Sequence, residues 1–362
     1  MRAAVLVEPG RLDLQDVVLD EPGPREVEIR TAAVGLCHSD LHYIDGTFST
    51  SLPEILGHEA AGVVTRVGSE VESVRIGDHV VTCLTIFCGH CRYCTDGHLS
   101  ICANRSALRK RPRPVATTPD GTAIGTMSGI GGFAERMVVH ENGVVAVPAG
   151  VPLDRACLVG CSVLTGVGAT TRSVRIPLGA DVLVVGCGGV GMAAVQGARL
   201  GGAGRVIAVD ISPAKLDAAK EFGATHVINA AHQDVLQAVR ELTGAGVDFA
   251  FEAIGRRETV EQAVACLGPG GTATVLGMIP DDQPVRIPAT DLLFNEKKLQ
   301  GSFIGSNQFR TDVPRLLELY AQGRLKLDEM ISMRLPMDHI NEGFDALRRG
   351  EVTRAVVEVS QA

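Results

Sequence analysis

A chain of 362 residues that is 45% hydrophobic, with a mean hydropathy of +0.18, has the length and composition of a two-domain globular protein. Its formal net charge of -8 and pI near 5.7 argue against a nucleic-acid partner. The run that most resembles a membrane span, Val182 to Ala198, has only 17 residues and five glycines, so no membrane span is expected.

The first 160 residues read as β-rich. Short β-branched runs at Val27–Thr31, Ala61–Val67 and His79–Thr82 are punctuated by Gly and Pro, as in a compact sheet domain. From about residue 180 strands and helices alternate. Val182–Val185 and Arg205–Val209 are apolar strands around a helical stretch, Val190–Leu200. Ser212 then supplies an N-cap and Pro213 a first helical position, with the helix ending before Gly223. Strands are expected at His226–Ile228, Phe249–Phe251 and Thr272–Leu276, and helices at Asp234–Leu242 and Glu258–Cys266. This rhythm predicts a doubly wound α/β domain with a parallel sheet. Helices at Val313–Ala321 and Ile340–Arg348 and a strand at Ala355–Val359 close the chain.

Ten cysteines need an account. The N-terminus lacks a signal peptide, so a cytoplasmic location is expected, with ligands and reduced thiols rather than disulfides. Cys88, Cys91, Cys94 and Cys102 form C-x2-C-x2-C-x7-C, a spacing that closes a tetrahedral cage around one zinc ion. Two disulfides and an iron–sulfur cluster are the rival readings. The cluster motif continues with x3-C-P, whereas here the last gap is seven and Ala103 follows Cys102. A four-thiolate cage leaves no place for substrate, so chemistry belongs elsewhere.

Gly186-Cys187-Gly188-Gly189-Val190-Gly191 follows a strand and opens a helix. In that setting Gly186 permits a tight turn, Gly188 lets the backbone approach a pyrophosphate, and Gly191 allows close helix–strand packing. Asp210, 19 residues beyond Gly191 at the end of the next strand, is placed to accept ribose hydroxyls. It would repel a 2′-phosphate, and no arginine follows before Arg240, which favours NAD over NADP; Lys215 remains within reach of the adenosine ribose.

Cys37-His38-Ser39-Asp40, Gly57-His58-Glu59 and Gly160-Cys161 are scattered candidates for an open metal site with Cys₂His ligands. Together with Gly35-Leu36, Ala60-Ala61-Gly62, the four-cysteine lobe, the glycine motif and Asn341-Glu342-Gly343-Phe344, they make the chain resemble the zinc-containing medium-chain alcohol dehydrogenases over essentially its whole length. The resemblance implies a GroES-like catalytic domain, residues 1–162 and 304–362, and a Rossmann NAD-binding domain, residues 163–303. The lobe would span about 84–105.

It also implies two zinc ions per chain, a structural one in the lobe and a catalytic one on Cys37, His58 and Cys161. Glu59 would lie close to the catalytic metal and Asp40 would orient His58. By the same resemblance Ser39 takes the alcohol's proton and His42 passes it to solvent. His38 and Arg354 would meet the cofactor pyrophosphate, and Thr165 and Val190 would pack behind the nicotinamide.

The expected activity is hydride exchange between an alcohol or aldehyde and NAD. Leu84, at a position often aromatic in the family, and Ser39 in place of threonine point to medium-sized or bulky primary alcohols rather than ethanol. The alternatives are a dehydrogenase of thiol–formaldehyde adducts, a nicotinoprotein that retains its cofactor, and a non-enzymatic redox sensor binding zinc and nucleotide. The basic stretch Arg105–Arg113 reads as a solvated loop, or as a device steering an anionic substrate. A homodimer is implied, with a tetramer as the alternative, and no membrane or nucleic acid is expected among the partners.

Overall fold

The computed structural model describes residues 1–359, in two units: Met1–Cys161 together with the chain from Gln308 onward, and Ser162–Asn307. The first unit is discontinuous because of one strand pairing. Arg354–Glu358 lies antiparallel to Glu26–Gly35, with Val356 opposite Gly35, so the end of the chain completes a sheet begun near its start.

That seven-stranded sheet orders Val144–Ala146, His79–Thr82, Glu59–Val67, Glu26–Gly35, Arg354–Glu358 and Ile331–Pro336, with Arg136–His140 also on Glu26–Gly35. A six-stranded sheet orders Asp13–Asp16, Arg2–Leu6, Glu54–Ile55, Ala123–Thr126, Ala116–Thr117 and Val18–Leu19. Val27, Ile29, Val34, Leu56, Phe133 and Phe344 are buried in a common core. Each such side chain contributes about 1.5–3 kcal/mol by leaving water.

Helix Ile340–Arg348 buries Ile340, Phe344 and Leu347, its 3.6-residue stripe. Its motif residues have structural duties. Asn341 pairs with the backbone of Leu12, accepting from the N–H at 3.0 Å and donating to the carbonyl at 2.9 Å. A Cβ on Gly343 would lie 2.6 Å from Leu36 Cδ1.

The second unit is a six-stranded sheet, ordered His226–Asn229, Arg205–Asp210, Asp181–Val185, Val247–Glu252, Leu267–Val275 and Lys298–Gly301, with every pair parallel. Val182 to Val185 are at most 1% exposed, as strands covered on both faces must be. The order reverses at Asp181–Val185, and the carboxyl ends of the strands beside such a reversal are where a doubly wound sheet binds ligands.

Two details differ from the sequence reading. Ser212 occupies the N-cap position of helix Pro213–Glu221, but its side chain makes no capping bond. Instead Asp210 Oδ1 accepts the Ser212 N–H at 2.9 Å, so the carboxylate organises the turn. Helix Phe309–Ala321 begins four residues earlier than Val313, because Asp312 folds back to accept the Gln308 N–H at 2.7 Å. Strand Lys298–Gly301 had no sequence signal, since a mostly exposed edge strand has no apolar alternation to display. Among the described residues, no helix is long and apolar enough to cross a membrane.

Candidate metal centres and nucleotide site

Cys37 caps helix His38–Ile44, His58 directly precedes strand Glu59–Val67, and Cys161 follows helix Leu153–Val159 and Gly160. Their ligand atoms lie within 4.8 Å of one another, and all three residues are buried. Glycines allow the approach. Gly57 adopts φ +89, and a Cβ there would lie 2.8 Å from the Phe133 nitrogen. A Cβ on Gly160 would collide with the Thr82 carbonyl. Asp40, fully buried, accepts from the Gly57 N–H at 2.9 Å and stands 3.2 Å from His58 Nδ1. That contact leaves Nε2, 3.3 Å from Cys161 Sγ, as the nitrogen turned to the thiols.

Protonation in this cluster is uneven. The Cys161 hydrogen bond holds the Cys37 thiol well below its usual range against burial, while the same bond and burial push Cys161 up. Burial opposes charge on His58, but Asp40 and Cys37 outweigh it and raise its pKa. A divalent cation would displace those protons and take two thiolates and an imidazole, which leaves a fourth tetrahedral position open.

Glu59 stands outside the ligand cluster. It is fully buried and its Oε2 lies 3.5 Å from Arg354 Nη2, so the two charges neutralise one another. Gly35 makes room for it, since a Cβ there would sit 2.7 Å from Glu59 Oε1. Arg354 is likewise committed: it is 3% exposed and donates to the Leu36 carbonyl at 2.8 Å. Strand pairing places it at the base of the metal pocket, although its Nε has no hydrogen-bond partner among the described residues. Ser39 Oγ is 3.7 Å from Cys37 Sγ. His42, half-buried on the same helix, packs edge-on against Phe48, and His38 is exposed at the helix start.

The four lobe cysteines also converge within 4.8 Å. Sulfur separations of 3.5 Å for Cys91–Cys94, 3.9 Å for Cys91–Cys102 and 4.0 Å for Cys88–Cys94 exclude disulfides. They bracket the ~3.8 Å edge of a tetrahedron with ~2.3 Å zinc–sulfur bonds. The N–H groups of Cys88 and Asn104 point at Cys102 Sγ, and those of Cys91 and the Asn104 amide at Cys88 Sγ, at 3.3–3.4 Å. Burial pushes the Cys88 thiol up, but such donors outweigh it and bring it to about 6. Burial and neighbouring thiols push Cys94 up to about 12, a proton that a cation would displace.

In the second unit, Gly186 takes φ +95 after strand Asp181–Val185, and helix Gly189–Gly201 starts behind Gly188. A Cβ on Gly191 would collide with the Gly186 carbonyl, whereas one on Gly188 would meet nothing within 4 Å. The helix start is thus tight on its inner side and open where a phosphate would sit. Asp210 Oδ2 accepts the Cys187 N–H at 2.8 Å, which fixes the carboxylate beside the turn. Lys215 is half-buried on the next helix. Gly166 brings helix Ser162–Gly168 against the Val190 backbone. Neighbouring Thr165 is 4% exposed, with an Oγ1 that has no hydrogen-bond partner among the described residues. An open cradle and an orphaned hydroxyl fit a dinucleotide.

Residues 23–149 match the family model described as the alcohol dehydrogenase GroES-like domain, and residues 189–322 that described as zinc-binding dehydrogenase. A provisionally named alcohol dehydrogenase D of Mycobacterium tuberculosis is 39% identical over 98% of both chains. The chain belongs to the zinc-binding alcohol dehydrogenase family. Benzyl alcohol dehydrogenase of Acinetobacter calcoaceticus superimposes with a TM-score of 0.92 at 31% identity, over 99% of both chains. A zinc-binding dehydrogenase of Sinorhizobium meliloti, solved with NADP, gives 0.83 at 29%, also over 99% of both. The α/β architecture is therefore a GroES-like domain with a Rossmann-like one, and the dehydrogenase is an oxidoreductase acting on alcohols.

Several residues that shape these sites carry no motif in the dehydrogenase sequence. Thr82 Oγ1 donates to the His58 and Ala60 carbonyls and accepts the Ala60 N–H, all at 3.2–3.3 Å, pinning the His58 strand. Arg310 stacks its guanidinium 5.4 Å from the centre of the Phe87 ring and donates to Asn142 Oδ1 at 2.9 Å. Asn142 in turn donates to the Phe87 carbonyl at 2.7 Å, anchoring the start of the lobe. Only the folded chain reveals these partners, 55 and 168 residues apart. Because the lobe has a core of little beyond Phe87, Leu99 and its own cysteines, a cation held by the four thiols would contribute to its folding. Cys91→Ser is expected to lower zinc content by one equivalent and the thermal transition by roughly 5 °C or more. Metal analysis and calorimetry measure both, and unchanged metal content would remove Cys91 from the ligand set.

Proposed function

We propose that the chain is an NAD-linked zinc alcohol dehydrogenase for medium-sized or bulky primary alcohols and their aldehydes, with one catalytic and one structural zinc. The convergence of Cys37, His58 and Cys161 carries this reading, because three ligands leave a tetrahedral ion open to substrate. Zinc held there would polarise the alcohol oxygen as a Lewis acid. NAD on the Gly186–Gly191 turn would accept the hydride, with Asp210 toward the adenosine ribose, Lys215 near it, and Thr165 and Val190 toward the nicotinamide.

The chain's own groups orient and move protons. Asp40 holds His58 in the tautomer a metal needs, and the Glu59–Arg354 pair keeps a second carboxylate neutralised beneath the thiolates. Ser39 would receive the hydroxyl proton and His42 would deliver it to solvent. His38 and Arg354 remain candidates for the cofactor phosphates. The Acinetobacter relative, named for benzyl alcohol, supports a pocket for bulky alcohols. Ten unpaired thiols suit a reducing cytoplasm.

Purified protein should contain two zinc ions and oxidise benzyl and longer primary alcohols with a kcat/KM at least about tenfold above that for ethanol. NAD should be preferred to NADP, and Cys161→Ser should lose turnover while keeping nucleotide binding. Retained turnover in Cys161→Ser would remove it from the catalytic set, and an ethanol preference would overturn the substrate class.

Burial lowers the pKa of His42 from 6.5, with Cys37 and Asp45 pulling the other way. A proton acceptor must be neutral, and His42 is neutral above its own pKa. The acid limb of kcat/KM for alcohol oxidation should therefore fall below pH 6.5, and His42→Gln should lower the rate at pH 7 by about tenfold. A pH–rate series on both proteins measures this, and an unchanged profile in the variant would exclude His42 from proton delivery.

A homodimer is part of the same proposal. Strand Lys298–Gly301 ends the second unit's sheet with one edge unpaired, beside Leu293 and Phe294, which are 71% and 80% exposed. Light scattering should give twice 38.0 kDa, falling to the single-chain mass in Phe294→Asp; a wild-type monomer would refute the pairing.

A further inference from the structure

The loop after the four-cysteine lobe carries Arg105, Arg109, Lys110, Arg111 and Arg113. It forms, with strand Ala123–Thr126 and the residues after it, a cavity of about 540 Å³ lined by Arg109, Arg111, Arg113, Thr126 and Ser128. A slot of about 40 Å³ shares Arg109, Arg111, Thr126 and Ser128 with it and adds Cys83, Glu26 and His140. That is room for a few buried polar atoms or waters.

The arginines of this loop are not equivalent. Arg111, 12% exposed, pairs with Asp20 at 3.1 Å and Glu26 at 3.4 Å, and Arg113 pairs with Asp20 at 3.4 Å. Both charges are answered within the fold, so they are not free to steer a distant anion. Arg109 differs. It is half-buried, and its hydrogen bond is from Nη2 to a neutral group, the Leu84 carbonyl, at 2.6 Å. Its Nε is buried with no partner among the described residues, and so is Arg111 Nη1. Among the described residues no carboxylate pairs with it: burial and the neighbouring Arg105 disfavour its charged form, and the Cys83 thiol acts in its favour.

A desolvated guanidinium without a counter-charge is costly, and its fork of donors matches an oxyanion. Thr126 and Ser128 line the same cavity, and Ser128 holds φ +57, a backbone region that disfavours its side chain. We propose that this cavity is an anion site, separate from the Cys37–His58–Cys161 set, in which Arg109 holds a phosphate or carboxylate group. The chemistry admits a free ion or an acidic tail carried by an alcohol. The inference does not rest on the redox reading, because binding is measured without turnover.

Inorganic phosphate and 6-hydroxyhexanoate, each titrated calorimetrically into the zinc-loaded protein at low ionic strength, are the two probes. Saturable binding of either is expected, weakened about tenfold or more in Arg109→Met and less in Arg109→Lys, which keeps the charge but not the fork. Binding of phosphate points to a free ion, and binding of the hydroxy acid alone to a substrate tail. The thermal transition of Arg109→Met in chloride should equal or exceed that of the wild type, while phosphate raises only the wild type's. Absence of binding by both probes, or equal affinity in Arg109→Met, would overturn the site. If Arg109→Met does not fold, undiminished affinity in Arg109→Lys would do the same.

Discussion

One carboxylate oxygen ties together the unit that carries Cys37, His58 and Cys161. Asp40 Oδ1 lies against both the Gly57 N–H and His58 Nδ1, so a single buried acceptor links helix His38–Ile44 to the turn that delivers the histidine. Cys37 caps that helix, and its position relative to His58 is therefore set by the same contact. Cys161 arrives through Gly160, whose missing side chain lets it press against the Thr82 carbonyl, and Thr82 in turn pins the His58 strand. Two hydrogen-bonded residues and two glycines thus bring Cys161 to two ligands that lie more than 100 residues earlier in the chain.

Charge is handled in this pocket by pairing rather than by solvent. Asp40, Glu59, Arg354 and the two thiols are all nearly or wholly buried, and each ion faces an opposite one. Such pairs add little net stability against apolar replacements, but removing one member strands the other. The gain is geometric: the groups around a metal cannot turn away without leaving a buried charge unanswered. Arg109 stands out because no carboxylate among the described residues pairs with it.

The two metal sets are built on different principles. The lobe cysteines fall within 15 residues and are surrounded by their own backbone N–H groups, so the cluster is local and a cation bound there would stand in for a core. The Cys37–His58–Cys161 set is non-local, and the fold itself brings it together. The nucleotide turn lies between these extremes. Its glycines are adjacent in sequence, but their purpose shows in the collision that a side chain on Gly191 would cause and the open space beside Gly188.

These differences explain what could be read before folding. Parallel strands such as Val182–Val185 announce themselves because burial on both faces demands continuous apolar sequence. The lobe is legible for a similar reason, as closely spaced thiols leave few other uses. Edge strand Lys298–Gly301 and the contact by which Asp210 organises its turn were invisible, since neither needs a distinctive residue pattern. Arg354 illustrates the limit most sharply. Sequence resemblance links it to cofactor phosphates, and the fold adds two partners that no sequence pattern announces, Glu59 and the Leu36 carbonyl. The amino-acid sequence by itself determined the elements, the local metal cage and the dinucleotide turn, because short-range spacing and burial periodicity encode them. The tertiary structure alone decided which distant charges meet and which, like Arg109, have no counter-charge among the described residues, because that depends on where the sheets bring together segments that share no local pattern.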